Sequence, residues 1–164
     1  MGFKSVNEIE KFTFDDCVIS SFKVNEAGII LVLEALIVDS NNSQNTNYTE
    51  SYADTTTVRL LDGKMISAKK DGYRYYDANE VLLEEVPDTV LSDEETDNII
   101  KTCEGAYLYY MEKDTDHASS ENIYNIGLEF TDEEDNTAAD SYEIKVSFKE
   151  AIFTWERYLN RVQR

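Results

Sequence analysis

Apolar and polar side chains alternate with a period of two along most of the chain, the signature of β-strands half-buried against a core. Residues 12 to 24 place Phe12, Phe14, Val18, Phe22 and Val24 on one parity, and Asn25-Glu26-Ala27-Gly28 then reads as a turn. Residues 29 to 38 are almost wholly apolar, which predicts a central strand covered on both faces. DSNNSQNTNYTE, residues 39 to 50, is a polar loop. TTTVRLL and KMISAKK flank Asp62-Gly63, a dipeptide that favours a tight hairpin, so a hairpin is predicted there. GYRYYDANEVLLEEV gives two more extended pieces around a turn at Asp77-Ala78-Asn79.

One helix is predicted after Ser92. Ser92 and Glu95 have the spacing of a capping box, in which each side chain satisfies a backbone N–H of the other's residue. Asp93, Glu94 and Glu95 stand at the positive end of the helix dipole, Lys101 stands near the negative end, and Gly105 closes the helix. Strands are expected again at 106 to 112, 122 to 130 and 141 to 148. The tail AIFTWERYLNRV fits either period: Phe153 and Trp155 alternate like a strand, while Ile152, Trp155, Leu159 and Val162 fit a helical face. The turn-like Lys149-Glu150 favours a closing strand. The expected fold is β-rich α+β: an antiparallel β-sandwich or strongly curved sheet with one or two helices. No repeat or linker divides the chain, so residues 1 to 164 read as a single domain.

Charge changes the picture most. The net charge is −19. Residues 77 to 143 hold 21 acidic and 2 basic side chains, and the rest of the chain balances. That field repels nucleic acid and anionic membranes and attracts basic partners or cations; as a plainer role, it keeps the protein soluble. The N-terminus has no apolar stretch of signal-peptide type, Val6 stands where a myristoylation motif wants Ser or Thr, and the run from 28 to 38 is too short to span a bilayer. A cytoplasmic protein is expected. Cys17 and Cys103 form no CxxC pair and read as reduced, buried thiols. Asn41 and Asn47 head glycosylation sequons that, without export, mark only a polar loop.

FDDC, EALIV, NYTESYADTTTVRL, YYDANEVLLEEVP and WERYLNRVQ resemble an uncharacterised family of small acidic, β-rich proteins from anaerobic Gram-positive bacteria, over nearly the whole chain. Some members of that family carry a label as lantibiotic sensors, but this chain shows no kinase domain, membrane span or glycine-rich nucleotide site. The resemblance implies a bacterial origin and brings no chemistry.

Four sets of residues are candidates for function. Asp132, Glu134, Asn136, Asp140 and Glu143 fall at places 1, 3, 5, 9 and 12 of a calcium-loop template. Thr137 occupies the sixth place, where such a loop needs Gly, and strands rather than helices flank the segment, so it reads as a solvated hairpin loop and no metal site is assigned. His117, the single histidine, lies in a polar loop, and neither cysteine makes a local nucleophile–base motif with it. Paired carboxylates such as Asp15-Asp16 and Glu84-Glu85 are too numerous to single out a hydrolase site. Tyrosines recur in two short stretches, and alternation puts Tyr73 with Tyr75, and Tyr107 with Tyr109, on single sheet faces. Rows of exposed tyrosine bind partners or sugars, whereas buried ones fill a core or make cross-strand pairs, the more common use of strand tyrosines. The expectation is a non-catalytic binding domain without cofactor. It would engage a basic protein, in the manner of an immunity protein or inhibitor, through Tyr73, Tyr75, Tyr107, Tyr109 and the run Asp132, Glu133, Glu134 and Asp135. A carboxylate-based hydrolase and an extracytoplasmic sugar- or calcium-binding sandwich are the alternatives.

Overall fold

The alternating stretches form strands, and in the computed structural model every strand pair among the described residues is antiparallel. The structure describes residues 2–115, 122–131 and 139–163. In chain order come β1 (Phe3–Val6), a 3-10 turn (Ile9–Lys11), β2 (Phe12–Thr13), β3 (Val18–Asn25), β4 (Gly28–Glu34) and β5 (Ile37–Val38). Next are β6 (Ser51–Ala53), β7 (Thr56–Leu61), β8 (Lys64–Lys70), β9 (Tyr73–Tyr76), β10 (Leu82–Val86) and β11 (Thr89–Val90). The helix α1 (Asp93–Thr102) is followed by β12 (Tyr107–Lys113), β13 (Asn122–Thr131), β14 (Ala139–Phe148), β15 (Glu150–Trp155) and β16 (Tyr158–Arg161).

Ten strands make one sheet in the order β1-β15-β7-β4-β3-β12-β13-β14-β8-β11, and four more make a second in the order β16-β6-β5-β2. Neither closes into a barrel, and the β-rich, sandwich-like α+β class expected from the sequence is the observed one. A single core joins both ends of the large sheet: Leu31, Val58 and Phe153 from one end share it with Leu108, Ile126 and Ile144 from the other. The small sheet lies over the β15 end, where Phe12 stacks on Phe153 with ring centroids 4.3 Å apart. A sheet of ten twisted strands curls back in this way because that is how its apolar face leaves water.

Several expectations are met. The capping box is complete: the Glu95 N–H donates to Ser92 Oγ at 3.1 Å and the Ser92 N–H donates to Glu95 Oε1 at 3.1 Å. Asn25 builds the β3–β4 turn, its Oδ1 accepting from the N–H of Ala27 at 2.8 Å. The tail is strand, with Ala151, Phe153 and Trp155 buried on one parity.

Other expectations are corrected. The run 29 to 38 is two strands in different sheets, because the chain turns a corner at Ala35, whose φ is 58°. Asp62-Gly63 is not a hairpin turn: β7 pairs with β15 and β4, and β8 pairs with β14 and β11. The dipeptide instead carries the chain from one end of the curved sheet to the other, and the Lys149 N–H donates to Leu61 O across the crossing. Val18 misses the core, because a bulge between Ile19 and Ser21 resets the parity of β3 and sends Ile19 inward; Val24 keeps the parity of buried Phe22 but is exposed near the end of the strand. His117 lies outside the described residues. Among the described residues no helix is long and apolar enough to cross a membrane.

Candidate functional site

A projecting ribbon stands at the β8 edge of the large sheet. β8 runs into β9 and β10 runs into β11, so residues 64 to 90 form one long bent hairpin. Its base belongs to the sheet, with Thr89 opposite Lys70 and Val90 opposite Lys69. Its outer part, β9 and β10, pairs only with itself. The bend falls at Asp71-Gly72 on one strand and Pro87-Asp88 on the other. Pro87 has no N–H to give to a continuing ladder. Gly72 is required by contact: a Cβ there would lie 1.9 Å from Val86 O and 2.5 Å from the Pro87 carbonyl carbon. Asp88 pins the joint, Oδ1 accepting the Gly72 N–H at 2.7 Å and Oδ2 lying 3.2 Å from Lys69 Nζ. The Gly72 amide, followed by Lys69, holds the Asp88 carboxyl below its ordinary value. At the tip, Asp77 Oδ1 accepts from the N–H of Asn79 at 2.8 Å and of Val81 at 3.0 Å, an Asx turn.

Both faces of the ribbon are apolar and exposed. Tyr73 and Tyr75 share one face, as alternation predicts, with rings edge to face at 5.0 Å. Across from them stand Val86 and Glu84. The Glu84 carboxylate beside the Tyr73 hydroxyl raises that phenol above its ordinary value. The other face carries Tyr76 opposite Leu82, and Arg74 opposite Glu85 with Nε 3.0 Å from Oε1. Leu83 is the extra residue of a bulge and is 67% exposed; Tyr75 is 58% and Tyr76 54% exposed. Val81 at the tip, and Ile66 and Val90 at the base, are exposed as well.

The second tyrosine group braces the root of this ribbon. Tyr107 pairs with Glu129 and Tyr110 with Gly127, and a bulge takes up Tyr109 between them. Strict alternation fails here, and Tyr110 joins Tyr109, ring to ring at 4.7 Å. Tyr110 covers Gly127 so closely that a Cβ on the glycine would lie 2.2 Å from its Cε1. Burial and then the neighbouring Glu143 push the Tyr110 hydroxyl well above the phenol range, and Tyr109 shifts the same way, chiefly by burial. Lys69 Nζ bridges Glu143 at 3.1 Å and Asp88 at 3.2 Å, and these two carboxylates, Glu143 first, raise the Lys69 ammonium. Burial raises the Asp71 carboxyl against the opposing pull of Lys69. The phenols therefore stay neutral donors and the lysine stays charged at neutral pH. Such a network braces a joint.

The remaining sequence candidates fall apart or outside. Asp132, Glu133, Glu134, Asp135 and Asn136 lie outside the described residues. Asp140 and Glu143 lie in strand β14, three residues apart and so on opposite faces. Asp140 is 3.4 Å from Lys70 Nζ, and Glu143 is committed to Lys69. A calcium loop brings its ninth and twelfth places to one concave side, whereas these two lie on opposite faces of a strand; the other three places of the template lie outside the described residues. Among the described residues no group of three or more His, Cys, Asp and Glu side chains could hold a metal ion. Cys17 and Cys103 are buried; burial raises both thiols, that of Cys103 to about 11. A cleft of about 840 Å³ opens at the far end of β8 and β14, lined by Val24, Met65 and Phe148 and by Asp62, Lys64 and Lys149. It contains none of the candidate residues.

Tyr76, Val81, Leu82, Leu83 and Tyr110 are not singled out by strict alternation. A signal for the first four was present: Gly72 and Pro87 punctuate both strands of the ribbon at the same level, and the pair Leu82-Leu83 breaks the alternation. No protein-family model, no curated protein and no solved structure matches this chain.

Proposed function

We propose that this chain is a non-catalytic binding domain that engages a basic protein through the ribbon β9–β10 and the acidic surface around it. One observation carries the reading. Tyr73, Tyr75, Tyr76, Val81, Leu82 and Leu83 are all exposed on an element outside both sheets, within a strongly acidic stretch of the chain. Exposed apolar groups of this density mark interaction sites, and tyrosine offers a rigid ring with a polar end at little entropic cost. Residues 71 to 97 hold ten carboxylates and a single arginine, so the complementary surface is cationic. Masking the basic site of another protein, as an inhibitor or immunity protein does, is the role such a surface fits.

The test is capture of cationic polypeptides from a bacterial lysate on immobilised protein at low salt. Basic polypeptides are expected on the parent and not on the double variant Tyr73→Ala/Tyr75→Ala, and rising salt is expected to slow their association. Equal recovery on parent and variant would remove the ribbon's tyrosines from the interaction, and no recovery on either would reduce the acidic segment to a solubility device.

A further inference from the structure

A ribbon that lies flat on a partner buries one face and leaves the other in water, and a water-facing side is ordinarily polar by alternation. The ribbon β9–β10 does not follow that rule. Tyr73 and Tyr75 occupy one face, Tyr76 and Leu82 the other, and Leu83 stands at the bulge on β10. Each face also carries one carboxylate, Glu84 and Glu85, and the tip carries Asp77 and Glu80. The element is held at a fixed angle, because Gly72 meets the backbone of Val86 and Pro87 in contact and Asp88 ties Gly72 and Lys69 together.

We propose that β9–β10 is an insertion arm: it enters a slot in its partner, which covers both faces at once with apolar walls and meets the arm's carboxylates with lysine or arginine. This rests on the reading of the chain as a binder of a basic protein, and it adds how and where that protein binds. The backbones of the slot's two walls lie about 20 Å apart, since a sheet packs about 10 Å from each layer that covers it, and the slot is on the order of 15–20 Å deep, the reach of five to six extended residues. The fixed joint lowers the ordering cost of entry, since the arm points outward before the partner arrives. A second copy of this chain is a poor host: its own arm region is equally acidic and would set ten carboxylates against ten.

The experiment places a photo-crosslinking benzoylphenylalanine at Tyr73, at Tyr76, or at Arg59, an exposed position on β7 that serves as the control. Each protein is irradiated with the fraction of a bacterial lysate that binds a cation exchanger. Crosslinks from both Tyr73 and Tyr76 to the same basic polypeptide, with none from Arg59, are expected. With that polypeptide purified, Tyr75→Ser and Leu82→Ser, one on each face, are each expected to weaken binding by about tenfold or more, the scale of a buried contact. Crosslinks or lost affinity on one face alone mean flat docking and overturn the arm, while the basic-partner reading survives. Crosslinks to another copy of this chain overturn the choice of partner. If no basic polypeptide is recovered from any position, the arm and the underlying function fall together.

Discussion

Tyr110 and Gly127 act as a pair, because the ring fills the space a side chain on the glycine would take. Gly127→Ala forces the half-buried ring aside, a small-to-large change of about 1–3 kcal/mol. Tyr110→Ala loses the ring's packing but makes room. The double variant is therefore expected to be more stable than the sum of the two single losses, which chemical denaturation of all four proteins measures. Glu8 sets a second residue-scale effect. Burial acts to raise its carboxyl. Hydrogen bonds from the Ser43 hydroxyl and N–H and the Ser5 hydroxyl, with help from Lys11, outweigh that and hold it below the ordinary value. A carboxyl depressed in the fold stabilises above the unfolded value of about 4.3, and that contribution disappears as pH falls through the lower folded value. Glu8→Gln is expected to melt lower than the parent at pH 7 and to lose less of its melting temperature between pH 5 and pH 3. Equal acid sensitivity in both proteins would remove Glu8 as a cause.

The ribbon beyond the joint adds little to the fold, because two strands without a covering layer are marginal in water. Replacing residues 73 to 86 with a short Gly-Asn-Gly turn is expected to leave the melting temperature within a few degrees, and a cooperative transition intact. Loss of folding on that excision would show the ribbon to be part of the core. How much of this was legible differs from element to element. Strand existence was readable because alternation is local, and α1 was readable because its cap lies within four residues, Ser92 to Glu95. Pairing was not, because partners are chosen by distant chain. Asp62-Gly63 has the chemistry of a hairpin, yet Leu60 and Ala68 on either side of it gain more by facing one core from opposite ends of the sheet. The exposed tyrosines at 73 and 75 could be named as a pair but not as exposed, since period two assigns faces and cannot say which face meets water. The bulge at Tyr109 was hidden for a further reason: it inserts a residue without any composition signal of its own.

At the scale of the molecule, charge and strand order matter most. With a net charge of −19, the carboxylates repel one another, and the local pairs at Lys69, Lys70 and Lys145 relieve only part of it. Screening within about 8–10 Å is expected to raise the melting temperature as sodium chloride goes from low to physiological concentration. A falling melting temperature would mean that these ion pairs outweigh the repulsion. Strand order has a different consequence, which concerns time rather than energy. β15 lies between β1 and β7, and Phe153 and Trp155 on it are nearly sealed from solvent. A nascent chain leaving the ribosome thus carries β1, its earliest strand, with no neighbour until residues 150 to 155 have been synthesised. The meander β12–β13–β14 closes locally and can form first. Until β15 arrives, the edge of β7 and the apolar side chains beneath it stand open to other chains, so a stalled or clipped product ending before residue 150 is a seed for aggregation.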